Sequence, residues 1–205
     1  MNRGAIVLCG GKSTRMGTAK ALLPFGPELM LQRVVRLVGE VVAMENMVVV
    51  AADRQELPSL PKGVTVVHDA REGRGPLEGL AAGLQTLSDR VKAVYATSCD
   101  VPLIKPALVN HMFELLGEHD IVVPRDGKFH HPLAAVYRLS VLDHVQHLLA
   151  AERLRPFYLF EQANTREVPV DQLRGIDPEL QTLENLNTPE EYLKALQDAG
   201  YPKPI

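Results

Sequence analysis

The chain has 205 residues, 46% of them apolar, which suits one packed domain over residues 1–205 and argues against a disordered segment. A formal net charge of −3 offers no bulk attraction for nucleic acid or an anionic membrane, so an anionic substrate has to be held by local charge. Apolar runs fall far short of the roughly 20 residues of a membrane span, the first strand leaves no room for a signal peptide, and Cys9 and Cys99 make neither a disulfide framework nor a zinc site, so the expected setting is the cytoplasm.

The apolar run Gly4-Ala5-Ile6-Val7-Leu8 reads as a buried first strand. It leads into Cys9-Gly10-Gly11-Lys12-Ser13-Thr14-Arg15-Met16-Gly17. Glycine lets backbone N–H groups approach phosphate oxygens, and Lys12 and Arg15 add charge, with Arg able to grip phosphate through two donors. A Walker A loop is excluded, because counting back from Gly11-Lys12-Ser13 puts its first glycine at Ile6, inside the strand. The dinucleotide spacing G-x-G-x-x-G is also missing here. The residues alone leave an anion cradle and an ordinary basic turn both open. Lys20 follows closely, placed either to reach the same phosphates or to sit solvated on the surface.

Leu31, Val34, Val35, Val38 and Val42 predict the buried stripe of a first helix. Met47 to Ala51 and Val64 to Val67 are the second and third strands. Asp53 and Asp69 follow them, either as acceptors for a base or ribose or as plain loop carboxylates. Gly73-Arg74-Gly75-Pro76-Leu77-Glu78-Gly79 has G-x-G-x-x-x-G spacing after the third strand, so it is no dinucleotide fingerprint. Pro76 opens a helix. Glu78 suits the helix dipole but would repel phosphate, so it is expected to point away from an anion. Ala93 to Thr97 is the fourth strand and ends in Ser98-Cys99-Asp100. A carboxylate there fits a hard cation shared with substrate phosphates, or a turn or helix cap.

Ile121 to Pro124 and Leu133 to Tyr137 read as further strands. His130 and His131 are adjacent and face opposite ways, so they do not chelate one ion. Asn185 and Asn187 alternate on an extended stretch and share a side. Thr188 caps a closing helix, Pro189 to Gln197, with Glu191 completing a capping box. Strands alternating with helices give an α/β fold: three-layer, Rossmann-like, with a mostly parallel sheet and helices on both faces. In such sheets ligands bind beyond the carboxyl ends of the strands where strand order reverses. If the first strand neighbours the fourth, the glycine loop and Asp100 open on one crevice. No Ser-His-Asp or Cys-His arrangement stands out.

Gly10 to Gly17, followed by Lys20-Ala21-Leu22-Leu23, resembles the signature of nucleotidyltransferases with the glycosyltransferase-A-like, nucleotide-diphospho-sugar transferase-like fold. Its Gly-Gly pair is similar to that of the molybdenum cofactor guanylyltransferases, where cytidylyl-transferring relatives carry Ala-Gly. His68-Asp69-Ala70, Gly75-Pro76-Leu77, Cys99-Asp100-Val101-Pro102 and Asn185 to Glu190 match further family segments in order. The resemblance implies transfer of GMP from GTP to molybdopterin, with pyrophosphate released. It implies nucleotide contacts from Leu8, Cys9, Gly10, Gly11, Lys20, Asp53, Asp69, Gly75, Pro76, Leu77, Gly79 and Asp100. Lys12, Arg15 and Lys20 would neutralise the triphosphate, and Asp100 would hold Mg2+, with Mn2+ as the alternative. His131, Asn185 and Asn187 would border the acceptor. The chain departs from the family pattern at Cys9, usually Ala, at Ala51, where some members place an Asn, and at Glu78, often small. Molybdenum-insertion and molybdoenzyme-delivery proteins are implied as candidate partners, and the chain as a monomer or weak homo-oligomer. Two other readings stand beside this one: another nucleotidyl transfer, with CTP or a different acceptor, and a non-catalytic nucleotide-binding module.

Overall fold

The computed structural model describes residues 2–10, 19–68 and 74–202, and within them an eight-stranded sheet carries helices on both faces. In chain order the elements begin with β1 (Arg3–Leu8), a hairpin of β2 (Pro24–Phe25) and β3 (Glu28–Leu29), α1 (Met30–Val38), β4 (Met47–Ala51), β5 (Thr65–His68) and α2 (Pro76–Leu87). There follow β6 (Ala93–Ser98), α3 (Pro106–Leu115), β7 (Ile121–Asp126), β8 (Phe129–His130), β9 (Ala135–Arg138), α4 (Leu142–Ala150), α5 (Phe157–Gln162), β10 (Thr165–Pro169) and α6 (Pro189–Asp198). The strand order is β10-β7-β9-β6-β1-β4-β5, with β8 paired to the end of β7. Pairings along this path are parallel except those of β9, which runs antiparallel to both β6 and β7.

The central strands are apolar almost throughout because both of their faces are covered. Side chains alternate across β1: Ala5 and Val7 join the core beneath α1 and α3, while Ile6 joins that beneath α2, α4 and α5. Full burial of a side chain such as Ile6 contributes about 1.5–3 kcal/mol. α2 lies so close to β1 that a Cβ on Gly83 would stand 2.6 Å from the Ile6 side chain. A third, smaller core gathers Phe25, Met30, Leu103, Leu186, Tyr192 and Leu196, tying the β2–β3 hairpin to α6.

Three local expectations are corrected. The third strand spans Thr65–His68, one residue later than its hydrophobic run suggested. As the outermost strand beyond β4 it is only half covered, so its apolar residues do not mark its ends. The segment from Leu133 does not start as a strand: Pro132–Ala134 forms a 3-10 turn, with Ala134 N–H donating to His131 O at 3.0 Å. Proline fixes φ and offers no donor to a ladder, so β9 begins only at Ala135. The first helix closes at Val38, and Val42 reaches the same core from the turn beyond Gly39. Among the described residues no helix is long and apolar enough to cross a membrane.

Candidate active site

β1 and β6 are in parallel register down to Leu8 opposite Ser98. Just beyond, Cys9 N–H donates to Val50 O at 2.7 Å and Cys99 N–H to Leu8 O at 3.0 Å. The start of the glycine loop and the Asp100 turn therefore leave the sheet side by side. This is the point where strand order reverses, with β4 on one side of β1 and β6 on the other, which is where open α/β sheets bind ligands. Gly11, Lys12, Arg15 and Asp69 lie outside the described residues.

Asp100 is the hub of the polar network here. Its Oδ1 accepts from Ser98 Oγ at 2.6 Å and from Asn185 Nδ2 at 2.8 Å, and its Oδ2 accepts from Lys20 Nζ at 2.7 Å. Lys20 Nζ also donates to Asn187 Oδ1 at 2.9 Å, and Asn185 Nδ2 lies 3.0 Å from Ser98 Oγ. The Lys20 and Asp100 side chains are 17% and 14% exposed, open enough to meet a ligand and covered enough for their charges to be weakly screened.

Each member is aimed by backbone structure. Asn185 and Asn187 project to the exposed side of an extended stretch while Leu186 between them is buried in the third core. Leu186 N–H donates to Asp100 O at 2.9 Å, fixing this stretch against the Asp100 turn. Thr188 then caps α6: Glu191 N–H donates to Thr188 Oγ1 at 3.2 Å, and Glu191 Oε2 accepts from the N–H groups of Thr188 and Asn187 at 3.0 and 2.6 Å. Arg33 on α1 donates from Nε to Pro102 O at 2.7 Å and lies over the Phe25 ring at 4.9 Å. Through the third core, the hairpin that follows Lys20 and the helix that follows Asn187 are held as one unit.

Beside the network is a cavity of about 190 Å3 lined by Val101, His131, Pro132, Leu133, Thr182 and Asn185. Burial pushes the His131 pKa below the ordinary 6.5, so this wall is a neutral imidazole. His130 lines the same cavity, and its Nε2 lies 2.7 Å from Glu167 Oε1. Glu167 is held below the usual carboxylate range, first by that hydrogen bond.

On the other side of β1, Asp53 is exposed and lies 3.5 Å from the neighbouring Arg54. It makes no contact with the Asp100 network. Gly75 holds φ +75° as the N-cap of α2, a left-handed conformation that favours glycine. Leu8, Leu77 and Gly79 are buried, so only their backbones could face a ligand. Glu78 turns to Arg74, Oε2 to Nε 3.6 Å. Cys9 and Cys99 are both buried free thiols. The Cys9 pKa is raised, first by its hydrogen bond with Cys99 and then by burial, which keeps it protonated and unreactive.

Three residues enter that sequence reasoning did not single out: Ser98, Arg33 and Gln55, whose Nε2 donates to Cys9 O at 3.1 Å. Ser98, two residues before Asp100, carried the only local signal. Among the described residues no group of three or more His, Cys, Asp or Glu side chains is placed to enclose a metal. The polar groups here are instead the Asp100 carboxylate, the Ser98 hydroxyl and the amides of Asn185 and Asn187, and Asp100 Oδ2 already takes a cation, the Lys20 ammonium. Hard oxygen donors with a single carboxylate fit Mg2+ that draws further ligands from substrate phosphates.

The sequence and the fold are similar to those of known proteins. The model of the MobA-like NTP transferase domain matches residues 5–166. A probable molybdenum cofactor guanylyltransferase of Methanosarcina acetivorans is 35% identical over 204 residues, covering 93% of this chain and 88% of that protein. One of Pelotomaculum thermopropionicum is 34% identical over 190 residues, covering 93% and 90%. Among solved structures, molybdopterin-guanine dinucleotide biosynthesis protein A of Archaeoglobus fulgidus aligns over 97% of this chain and 98% of its own, with TM-score 0.76 and 23% identity. The 2-C-methyl-D-erythritol 4-phosphate cytidylyltransferase of Thermus thermophilus shares the fold over 97% and 99%, with TM-score 0.70 and 14% identity. The chain belongs to the MobA-like NTP transferase family.

Proposed function

We propose that this chain transfers GMP from GTP to the terminal phosphate of molybdopterin, forming molybdopterin guanine dinucleotide and pyrophosphate. The observation that carries this reading is the Asp100–Lys20–Asn185–Asn187 network at the strand-order reversal beside β1. An acceptor phosphate oxygen attacks the α-phosphorus of GTP, the bond from that phosphorus to the bridging oxygen breaks, and pyrophosphate leaves. Such transfer needs positioning and charge stabilisation more than a protein nucleophile, because the attacking phosphate is already an anion. Lys20, with Lys12 and Arg15 of the glycine loop, neutralises the triphosphate. Asp100, flanked by Asn185 and Asn187, would hold Mg2+, with Mn2+ as the alternative; the ion would polarise the phosphate oxygens.

The cavity beside His131 and Asn185 is assigned to the acceptor, and the backbone from Leu8 to Gly11 with Asp53, Asp69 and Gly75 to Gly79 to the nucleoside. The guanine assignment follows the names of the relatives at 34–35% identity. We place the reaction in the cytoplasm, in keeping with two unpaired thiols and the insertion or delivery proteins that would hand the cofactor on. The test is to incubate the protein with GTP, Mg2+ and molybdopterin and to assay both dinucleotide and pyrophosphate. Both products are expected, and both should vanish in Asp100→Ala with the fold retained. Turnover that survives in Asp100→Ala refutes the mechanism, and a preference for CTP refutes the guanine assignment.

A further inference from the structure

We propose that Gln55 is a positioning residue for the nucleobase: it sets the orientation of the Cys9–Gly10 peptide and so governs how tightly the base, and not the triphosphate, is held. The proposal rests on the nucleotide reading above. Gln55 follows β4 and is tied at both ends of its amide. Its Oε1 accepts from Ala52 N–H at 3.0 Å, and its Nε2 donates to Cys9 O at 3.1 Å. Gln55 N–H closes the same turn onto Ala52 O at 3.2 Å, and His68 Nδ1, at the end of β5, lies 3.1 Å from that carbonyl. The tips of β1, β4 and β5 are thus cross-linked by side chains through one loop, with Gln55 as the only described side chain bonded to the Cys9 carbonyl.

The place of this link matters because phosphate and base fall on different sides of β1. The charged groups, Lys20 and Asp100, cluster toward β6. A nucleotide whose phosphates lie there and which crosses the tip of β1 brings its base over the tips of β4 and β5, where Gln55 stands. Gly10 has no side chain, so its peptide plane is held by what its neighbours bond. The Cys9 carbonyl belongs to that plane, and the Gln55 amide fixes the carbonyl's direction. Glutamine supplies one acceptor and one donor in a fixed order. A leucine supplies neither, and a glutamate turns a second lone pair against the Cys9 carbonyl.

The test measures by calorimetry, in Mg2+ buffer, the binding of GTP, CTP and inorganic tripolyphosphate to the wild type, Gln55→Leu and Gln55→Glu. A hydrogen bond of ordinary strength is lost, so Gln55→Leu is expected to weaken the favoured nucleotide by about tenfold, and Gln55→Glu by more. Tripolyphosphate should bind all three proteins alike. The same split should appear in turnover, with KM for the nucleotide raised and kcat little changed. Unchanged nucleotide affinity in both variants overturns the proposal, and so does an equal loss of tripolyphosphate affinity, which would mean general damage to the loop. A wild type that favours CTP, with the loss falling on CTP, supports Gln55 and refutes the guanine assignment alone. A wild type that binds nucleotide no better than tripolyphosphate overturns the nucleotide reading itself and the proposal with it.

Discussion

Replacing Ser98 by Ala removes the hydroxyl that donates to Asp100 Oδ1 at 2.6 Å while leaving the Asn185 amide on the same oxygen at 2.8 Å and Lys20 on the other. A hydrogen bond to a charged group is worth about 1.5–3 kcal/mol, against about 1 for a neutral pair. Because Asn185 and Lys20 still hold the carboxylate, the lower end applies. About 1.5 kcal/mol of transition-state positioning is roughly a tenfold fall in kcat/KM. The fold should be untouched, since Ser98 is at the strand tip and Asn185 remains bonded to Asp100. Initial rates of pyrophosphate release, with far-UV circular dichroism as the control, read both quantities. An unchanged rate would show that Ser98 does not orient Asp100. A loss as complete as that of Asp100→Ala would show that it does more than orient it.

Gly83→Ala forces a Cβ to 2.6 Å from Ile6 at the α2–β1 contact, so chemical denaturation is expected to show a loss of about 1–3 kcal/mol. Gly26 stands at φ +67° with the Tyr201 ring 2.4 Å from where a Cβ would lie. Gly26→Ala is therefore expected to loosen the third core and to lower activity through Lys20 more than it lowers the midpoint of global unfolding; the two measurements together check this. His131 has its pKa depressed below the ordinary 6.5 by burial, so below 6.5 the unfolded chain takes up a proton that the folded one resists. Stability should fall as pH drops through that window, and His131→Gln should flatten the fall in a denaturation series. The lowered carboxyl of Glu167 has the same sign at lower pH: its contribution is present above the ordinary 4.5 and is lost as pH falls through the folded value.

The sheet was legible because its central strands carry an unbroken apolar run and its helices a 3.6-residue stripe, as in β1, β4, β6, α1 and α2. Helix α3 carries such a stripe too, Leu108, Val109, Met112 and Phe113, and was open to the same reading, whereas α4 buries only Val145 and Leu148, α5 spans six residues and β10 has no unbroken apolar run. β10 pairs with β7 on one side only, and Thr165, Arg166 and Glu167 in it are not buried. The alternation of Asn185 and Asn187, and the capping box after them, could be read from spacing because both are local. Asp100 could be read because an acidic residue at a strand tip is a local signal too. Gln55 and Arg33 could not, because their partners, Cys9 and Pro102, are 46 and 69 residues away and only the strand order brings them together. The antiparallel course of β9 likewise depends on its place between β6 and β7, which no local pattern encodes.

Lys20 and Asn187 meet across 167 residues of sequence, through a small core separate from the two that hold the sheet. Closing so long a loop carries more entropy loss than pairing β4 with β5 or packing α2 on β1, and contacts of this kind form late. A refolding chain should therefore recover its circular dichroism before its catalysis. During synthesis, the chain through Asn187 must have left the ribosome before any substrate can be processed.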